Sequence, residues 1–220
     1  MSTYILTSMF HNGFNEKTAE VFRQKIYKRN KFAFVASEFE KIHEKTDYYY
    51  RFFLNLFEEA GIHFEESYVI DDRIGVDEIQ KMVAEADVVW LSGGDTPTQF
   101  RYLQKYGLNT VIKQHDGVII GMSAGSINLA KTSICTLSGK HCKQEIYDGL
   151  GCVDISVEPH FVRNEVSNEL IDLSEKFKIY GLCDDSLIVC SGETVEFYGE
   201  VYKLDHGKIE EICIYEGTNT

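Results

Sequence analysis

The stretch Gly117-Val118-Ile119-Ile120-Gly121-Met122-Ser123-Ala124-Gly125-Ser126 limits what this chain can become more than any other part of it. It opens as an apolar strand, Val118 to Ile120. It turns sharply at Gly121-Met122-Ser123-Ala124-Gly125 and leaves as a helix, Ser126-Ile127-Asn128-Leu129-Ala130. This is Gly-x-Ser-x-Gly in the setting that motif requires, a strand, a tight turn and a helix. Such a turn holds the serine hydroxyl above a sheet, and the two glycines keep side chains out of its way. The N–H groups that begin the helix have no partners within it and point toward any anion formed there. Ser123 is therefore read as a nucleophile.

The flanking chain supplies the sheet. Residues 3–9, 31–37, 64–70, 87–92 and 118–121 read as strands, several of them continuous apolar runs that suit burial on both faces. Between them lie helical patterns at 15–29, 46–60, 76–85, 97–106 and 108–115. Asn15 is placed to cap the first, and Gly61 to stop the second. The aromatic run Tyr48-Tyr49-Tyr50 and Phe52-Phe53 is mostly core-facing by its spacing. Strand and helix alternate up to residue 130, which predicts a parallel sheet with helices on both faces. Residues 153–159 are strand-like, and 164–176 read as a helix. After residue 178 the runs shorten to 179–183, 186–190, 194–198, 200–204 and 211–215, read as sheet-extending strands and hairpins. The expected architecture is an α/β three-layer sandwich with a mostly parallel central sheet and extra C-terminal hairpin strands. Without repeats or linkers, residues 1–220 are expected to form a single domain.

Composition excludes some partners. With 22 Lys+Arg against 35 Asp+Glu the net charge is −13, which repels a phosphate backbone and disfavours an anionic membrane surface. No apolar run approaches the ~20 residues of a membrane span. The N-terminus lacks the basic region and apolar core of a signal peptide. The cysteines Cys135, Cys142, Cys152, Cys183, Cys190 and Cys213 form no C-x-x-C pair, so no metal or redox motif is read. They are expected to be buried, reduced thiols of a cytoplasmic protein.

A serine hydroxyl needs a base, and the base needs an orienting group. Among the seven histidines, His43, His63 and His115 have polar neighbours and are read as surface residues. His11 follows the first strand with no evident partner, and His141 sits beside Cys142 in a polar loop. His160 stands apart: it closes the run Val153 to Pro159 and precedes Phe161-Val162-Arg163-Asn164. Strand ends of α/β sheets are where ligands bind, so His160 is the candidate base. The orienting carboxylate is Asp184, Asp185 or Glu158. Backbone N–H groups for an oxyanion hole are available at Ala124 and at the strand-ending turn Ser92-Gly93-Gly94-Asp95-Thr96. The order serine, histidine, acid differs from that of the α/β-hydrolases. Their order would enlist His206, which lies in a hairpin turn.

Four motifs together, Ser92-Gly93-Gly94-Asp95-Thr96, Gly121-Met122-Ser123-Ala124-Gly125-Ser126, Glu158-Pro159-His160-Phe161 and Gly181-Leu182-Cys183-Asp184-Asp185-Ser186, resemble the peptidase E (aspartyl dipeptidase) and cyanophycinase family of serine peptidases. The resemblance runs over about residues 1–200. It implies a fold similar to class I glutamine amidotransferases, flavodoxin-like, with serine at the elbow. It implies Ser123 as nucleophile, His160 as base, Asp184 as the acid, Gly93 and Gly94 in the oxyanion turn, and no metal or cofactor. Arg163 lies near where cyanophycinases carry arginines and is a candidate for binding a substrate carboxylate. The expected activity is that of a dipeptidase-like or exopeptidase-like serine hydrolase acting on small peptides, with a homodimer as a possible assembly. An esterase or amidase with the same machinery, and a non-enzymatic binding relative, are the alternatives.

Overall fold

The computed structural model describes residues 2–139 and 141–212. Up to residue 129 it alternates as the sequence predicts. The elements are β1 (Thr3–Thr7), α1 (Glu16–Lys25), β2 (Lys31–Val35), α2 (His43–Glu59), β3 (Glu66–Ile70), α3 (Val76–Glu85), β4 (Val88–Leu91), α4 (Thr96–Lys105), α5 (Leu108–Gln114), β5 (Val118–Met122) and α6 (Ala124–Leu129). Strands β1 to β5 pair in parallel in the order β1-β5-β4-β2-β3.

The period of two along each strand decides which helices cover which face. Leu6, Val35, Val89, Leu91 and Ile119 pack with Ile79 and Val83 of α3, Leu103 of α4, Ile112 of α5 and Ile127 of α6. Their neighbours Ile5, Phe34, Val88, Trp90 and Ile120 face the other way, onto Phe22 of α1 and Phe53 and Phe57 of α2. Phe53 lies 4.4 Å, centroid to centroid, from the Trp90 ring. Truncating such a ring to alanine costs about 3–5 kcal/mol. The aromatic run on α2 splits as its spacing requires: Phe53 is fully buried, whereas Tyr48 is exposed.

The second half departs from expectation. Strands β6 (Thr132–Cys135) and β7 (Glu145–Asp148), which carry no strong apolar signal, form a two-stranded ribbon. Strand β8 (Ser156–Pro159) does not join the main sheet. It pairs in parallel with β9 (Ile179–Leu182), which continues through β12 (Val201–Asp205) to β13 (Lys208–Ile212) as a separate four-stranded sheet. Among the described residues, β10 (Leu187–Ser191) and β11 (Thr194–Tyr198) extend the main sheet, antiparallel, beyond β1. The helix expected over 164–176 is two pieces. Arg163–Glu165 is a single 3-10 turn, Val166 and Ser167 are extended, and α7 (Asn168–Ser174) restarts where the Ser167 hydroxyl accepts the Leu170 N–H. The first helix ends at Lys25 rather than 29, because the Arg29 guanidinium takes the carbonyls of Arg23 and Ile26. Cys213 and the last residues of the run 211–215 lie outside the described residues.

Candidate active site

Ser123 stands between β5 and α6 with φ 50° and ψ −106°, a conformation a non-glycine residue rarely adopts and that costs about 1–3 kcal/mol. Backbone contacts on both sides hold it there. The Ser123 N–H donates to the Thr7 carbonyl of β1 (2.9 Å), and the Ser123 carbonyl receives the Ile127 N–H of α6 (3.1 Å). The buried Ser126 hydroxyl accepts the Thr7 N–H and lies 2.6 Å from the Gly121 carbonyl. A Cβ on Gly125 would stand 2.3 Å from the Leu91 carbonyl of β4, and one on Gly121 would stand 2.6 Å from the Gly125 backbone. The glycines of Gly-x-Ser-x-Gly are there because helix and sheet touch through their main chains.

His160 follows β8 in a left-handed conformation, φ 56°, which turns its ring away from the small sheet toward the end of β5. Its Nε2 lies 3.0 Å from Ser123 Oγ, and its Nδ1 lies 2.9 Å from Asp184 Oδ1. With Nδ1–H donating to the carboxylate, Nε2 is left as an acceptor for the serine proton. Asp184 is itself held from β1. The Ser8 hydroxyl donates to Oδ1 (2.5 Å), the Met9 N–H donates to the same oxygen (3.2 Å), and His11 Nε2 lies 2.9 Å from Oδ2. Ser8 also accepts the His160 backbone N–H at 2.8 Å. Partial burial pushes the Asp184 carboxyl up, but the hydrogen bond from Ser8, the charge of His160 and the Met9 and His11 contacts outweigh it. The net result is a carboxyl held below the usual range.

The three candidate carboxylates separate clearly. Asp184 is the one hydrogen-bonded to His160. Asp185, next in the chain, sits at φ 64° with its N–H donating to the Met9 carbonyl; its buried Oδ1 has no partner, and burial with the neighbouring Asp184 charge pushes it up. Glu158 is buried in β8, accepts from the Thr136 hydroxyl at 2.7 Å, and is raised to about 7, chiefly by burial. His206 sits in the β12–β13 turn, where its N–H donates to the Ser174 carbonyl.

The turn after β4 completes this end of the sheet. A Cβ on Gly93 would come within 3.4 Å of Ser123 Cβ, and one on Gly94 within 2.3 Å of Ser37 Oγ, so both backbones pass against Ser123 and its surroundings. Gln99 fixes the turn by donating to the Ser92 carbonyl at 2.7 Å. The Asp95 carboxylate caps α4 through the Thr98 N–H. Ala124, the first residue of α6, has an N–H with no partner inside the helix. Beside these groups opens a cleft of about 420 Å³, lined by Ser123, His160, Gly93 and Gly94 and walled by residues of β2 and α2.

Other expectations fall elsewhere. Arg163 is exposed in the 3-10 turn and lines neither this cleft nor the small cavity behind His160; the buried Phe161 anchors the chain before it and leaves the next residues on the surface. His115, read as a surface residue, is buried: its Nε2 contacts the Ala86 carbonyl, and desolvation lowers its basicity. Cys142 is exposed, against the expectation of buried thiols. Ser8 and Met9 escaped the sequence reading, and His11, read there without a partner, meets Asp184. The available signal was a polar residue ending β1, the strand that lies parallel to β5 with Thr7 opposite Met122. Among the described residues, His43, Asp71 and Asp72 are the one group with metal-ligand atoms close together, but the Asp71 carboxylate is already held by Arg73. No helix among the described residues is long and apolar enough to cross a membrane.

Comparisons with known proteins bear on the family and the fold. The profile of peptidase family S51 matches residues 5–198. Among solved structures, a peptidase from an acI-B1 Actinobacterium superposes with a TM-score of 0.74 at 15% identity, covering 98% of this chain and 96% of that one. A protein assigned to peptidase E from Listeria monocytogenes EGD-e gives 0.65 at 18% identity, covering 90% and 98%. At these identities the likeness is one of fold. No curated protein sequence matches the chain.

Proposed function

The chain belongs to peptidase family S51 and is a peptidase, and from that premise we propose that it cuts small peptides from one end through an acyl-enzyme on Ser123. Ser123 Oγ attacks the carbonyl carbon of the scissile bond as its proton passes to His160 Nε2. The carbonyl oxygen takes the negative charge and is met by the N–H groups of Ala124 and of the Gly93-Gly94 turn. The tetrahedral intermediate collapses, the C–N bond breaks, and His160 returns the proton to the leaving amine. Water then attacks the acyl-enzyme with His160 again as base, releasing the acid and restoring Ser123. Asp184 holds the imidazole with Nδ1 protonated and stabilises the imidazolium while it lasts.

The observation that carries this reading is the unbroken run of contacts from Ser123 Oγ to His160 Nε2 (3.0 Å) and from His160 Nδ1 to Asp184 (2.9 Å), in a chain that contributes Ser8 and Met9 to hold the last of them. A panel of dipeptides and longer peptides, followed by product mass, tests it. The expected result is terminal cleavage by the wild type and a loss of at least about 10⁴-fold in kcat/KM for Ser123→Ala. Full activity in that variant, with a folded circular-dichroism spectrum, rules Ser123 out. Internal cuts in the longer peptides rule out the terminal mode alone.

A further inference from the structure

The geometry points to the cleft between Ser123 and α2 as the subsite for the substrate residue on the acyl side of the scissile bond, and to an apolar, aromatic-sized side chain, not an acidic one, as its occupant. This rests on Ser123 being the residue that is acylated.

The strand order gives the direction. In the sequence of neighbours β1-β5-β4-β2, Ser123 stands at the end of β5. Ser8 lies on the β1 side and joins His160 and Asp184 there. Gly93, Ser37 and Phe34 lie on the opposite side, at the ends of β4 and β2. The leaving amine must collect its proton from His160 and so departs toward β1. The acyl residue extends the other way, over Gly93, into the part of the cleft lined from β2 and α2; Met9, which follows β1, and His160 line its other end.

The cleft itself gives the chemistry. Phe34 and Met122, both nearly fully buried, form its floor, and Ile42, the residue before α2, and Tyr49 of α2 form its wall. At about 420 Å³ it is within the size range of small-molecule pockets and has room for an aromatic side chain. Its charged groups are Glu38, Asp95 and Lys45. Glu38 is half-buried and accepts from the Tyr102 hydroxyl at 2.6 Å; Asp95 and Lys45 are exposed. Two acids thus stand against one solvated cation, on a chain of net charge −13. A carboxylate carried down to Phe34 and Met122 would exchange its water for the hydroxyls of Ser37, Thr46 and Ser92 with no buried cation in the lining, which is costly for a full charge. Pairing with the solvated Lys45 ammonium is weak and does not offset that. An apolar side chain meets no such penalty and removes the floor from water.

Diphenyl phosphonate analogues of phenylalanine and of aspartate test this directly. In each, Ser123 Oγ attacks phosphorus and phenol leaves, so the labelling rate reads subsite fit at a reacting serine. A fluorophosphonate without an amino-acid side chain serves as the reference for serine reactivity, and each rate is divided by the reference rate of the same variant. The phenylalanine analogue is expected to label the wild type at least about tenfold faster than the aspartate analogue. In Ile42→Lys, which puts a cation into the wall, that ratio is expected to fall by about tenfold or more. Equal or faster labelling by the aspartate analogue in the wild type overturns the inference, as does an unchanged ratio in a folded Ile42→Lys variant. Failure of the fluorophosphonate to label Ser123 in the wild type overturns the nucleophile assignment beneath it. Labelling with aspartate preferred overturns the subsite alone.

Discussion

The main sheet and the small four-stranded sheet both deliver groups to the same point, and they do so by different means. Ser123 is placed by main chain: a Thr7 carbonyl, an Ile127 N–H and two glycines where a side chain would collide with backbone. His160 and Asp184 follow β8 and β9 of the small sheet and are placed largely by side chains. Ser8 of the β1 end bonds to both, and Asp184 in turn bonds to His160. A serine fixed by backbone depends on the absence of side chains at Gly121 and Gly125. A base and acid fixed by a few side-chain hydrogen bonds depend on the presence of particular side chains. The seam between the sheets, more than either sheet, is where this site is open to disruption.

The largest effect should come from the acid that closes that seam. Asp184→Asn preserves shape but removes the charge and donates where it must accept, which favours the wrong imidazole tautomer. A loss of about 10³–10⁴-fold in kcat/KM is expected, with little change in KM. Asp185→Asn, one residue on, changes a carboxyl that does not touch His160, and a change of less than about fivefold is expected. Steady-state kinetics on both variants compares neighbours differing in one contact. Equal losses would show that the acid role is shared and that the seam is not built on Asp184.

The next effect concerns stability and arises at β8 of the small sheet. Glu158 is buried in β8 beside Thr136 and Ser138 and is raised to about 7 from an ordinary 4.5. Between those two values the folded chain keeps a proton that the unfolded chain gives up. Stability from this group is therefore complete below pH 4.5 and is lost as pH rises through 7. A glutamine at this position would carry no such dependence. Glu158→Gln is expected to match the wild type near pH 4.5 and to exceed it at pH 8 by up to about 3 kcal/mol, read from urea unfolding at the two pH values. Activity should change little, since Glu158 contacts neither Ser123 nor Asp184. A variant weaker than wild type at pH 8 would mean that the buried charge is compensated by contacts stronger than those of Thr136 and Ser138.

The contrast between the sheets is also the contrast in what could be read from sequence. The parallel sheet was legible because burial on two faces writes itself as continuous apolar runs, and because Gly121-Met122-Ser123-Ala124-Gly125 has one structural meaning in that setting. His160 was legible as a histidine closing a strand before a helical pattern. That β8 leaves the main sheet was not legible, because a four-residue strand carries the same alternation whichever sheet it joins. Asp184 and Asp185 could not be told apart by pattern. Their separation depends on a left-handed residue at 185 and on a partner at position 8, far away in the chain. Arg163 failed as a candidate for the same reason: the turn at His160 and the burial of Phe161 send residue 163 to the surface.

The smallest effect tests the part that the sequence did not reveal. Ser8 touches no substrate group in the proposed reaction; it is a positioning residue, acting through Asp184 and the His160 backbone. Ser8→Ala should lower kcat/KM by about tenfold, the order of one lost hydrogen bond to a charged group. A loss of packing alone could do as much, so the pH profile decides. Ser8 is first among the contacts that hold the Asp184 carboxyl down against its burial. Without it, Asp184 takes up a proton at a higher pH than in the wild type. The acidic limb of the profile should therefore move toward neutrality, while the alkaline limb stays in place. A uniform drop at all pH values, with both limbs fixed, would make Ser8 a packing residue and leave the Met9 N–H and His11 to hold the acid.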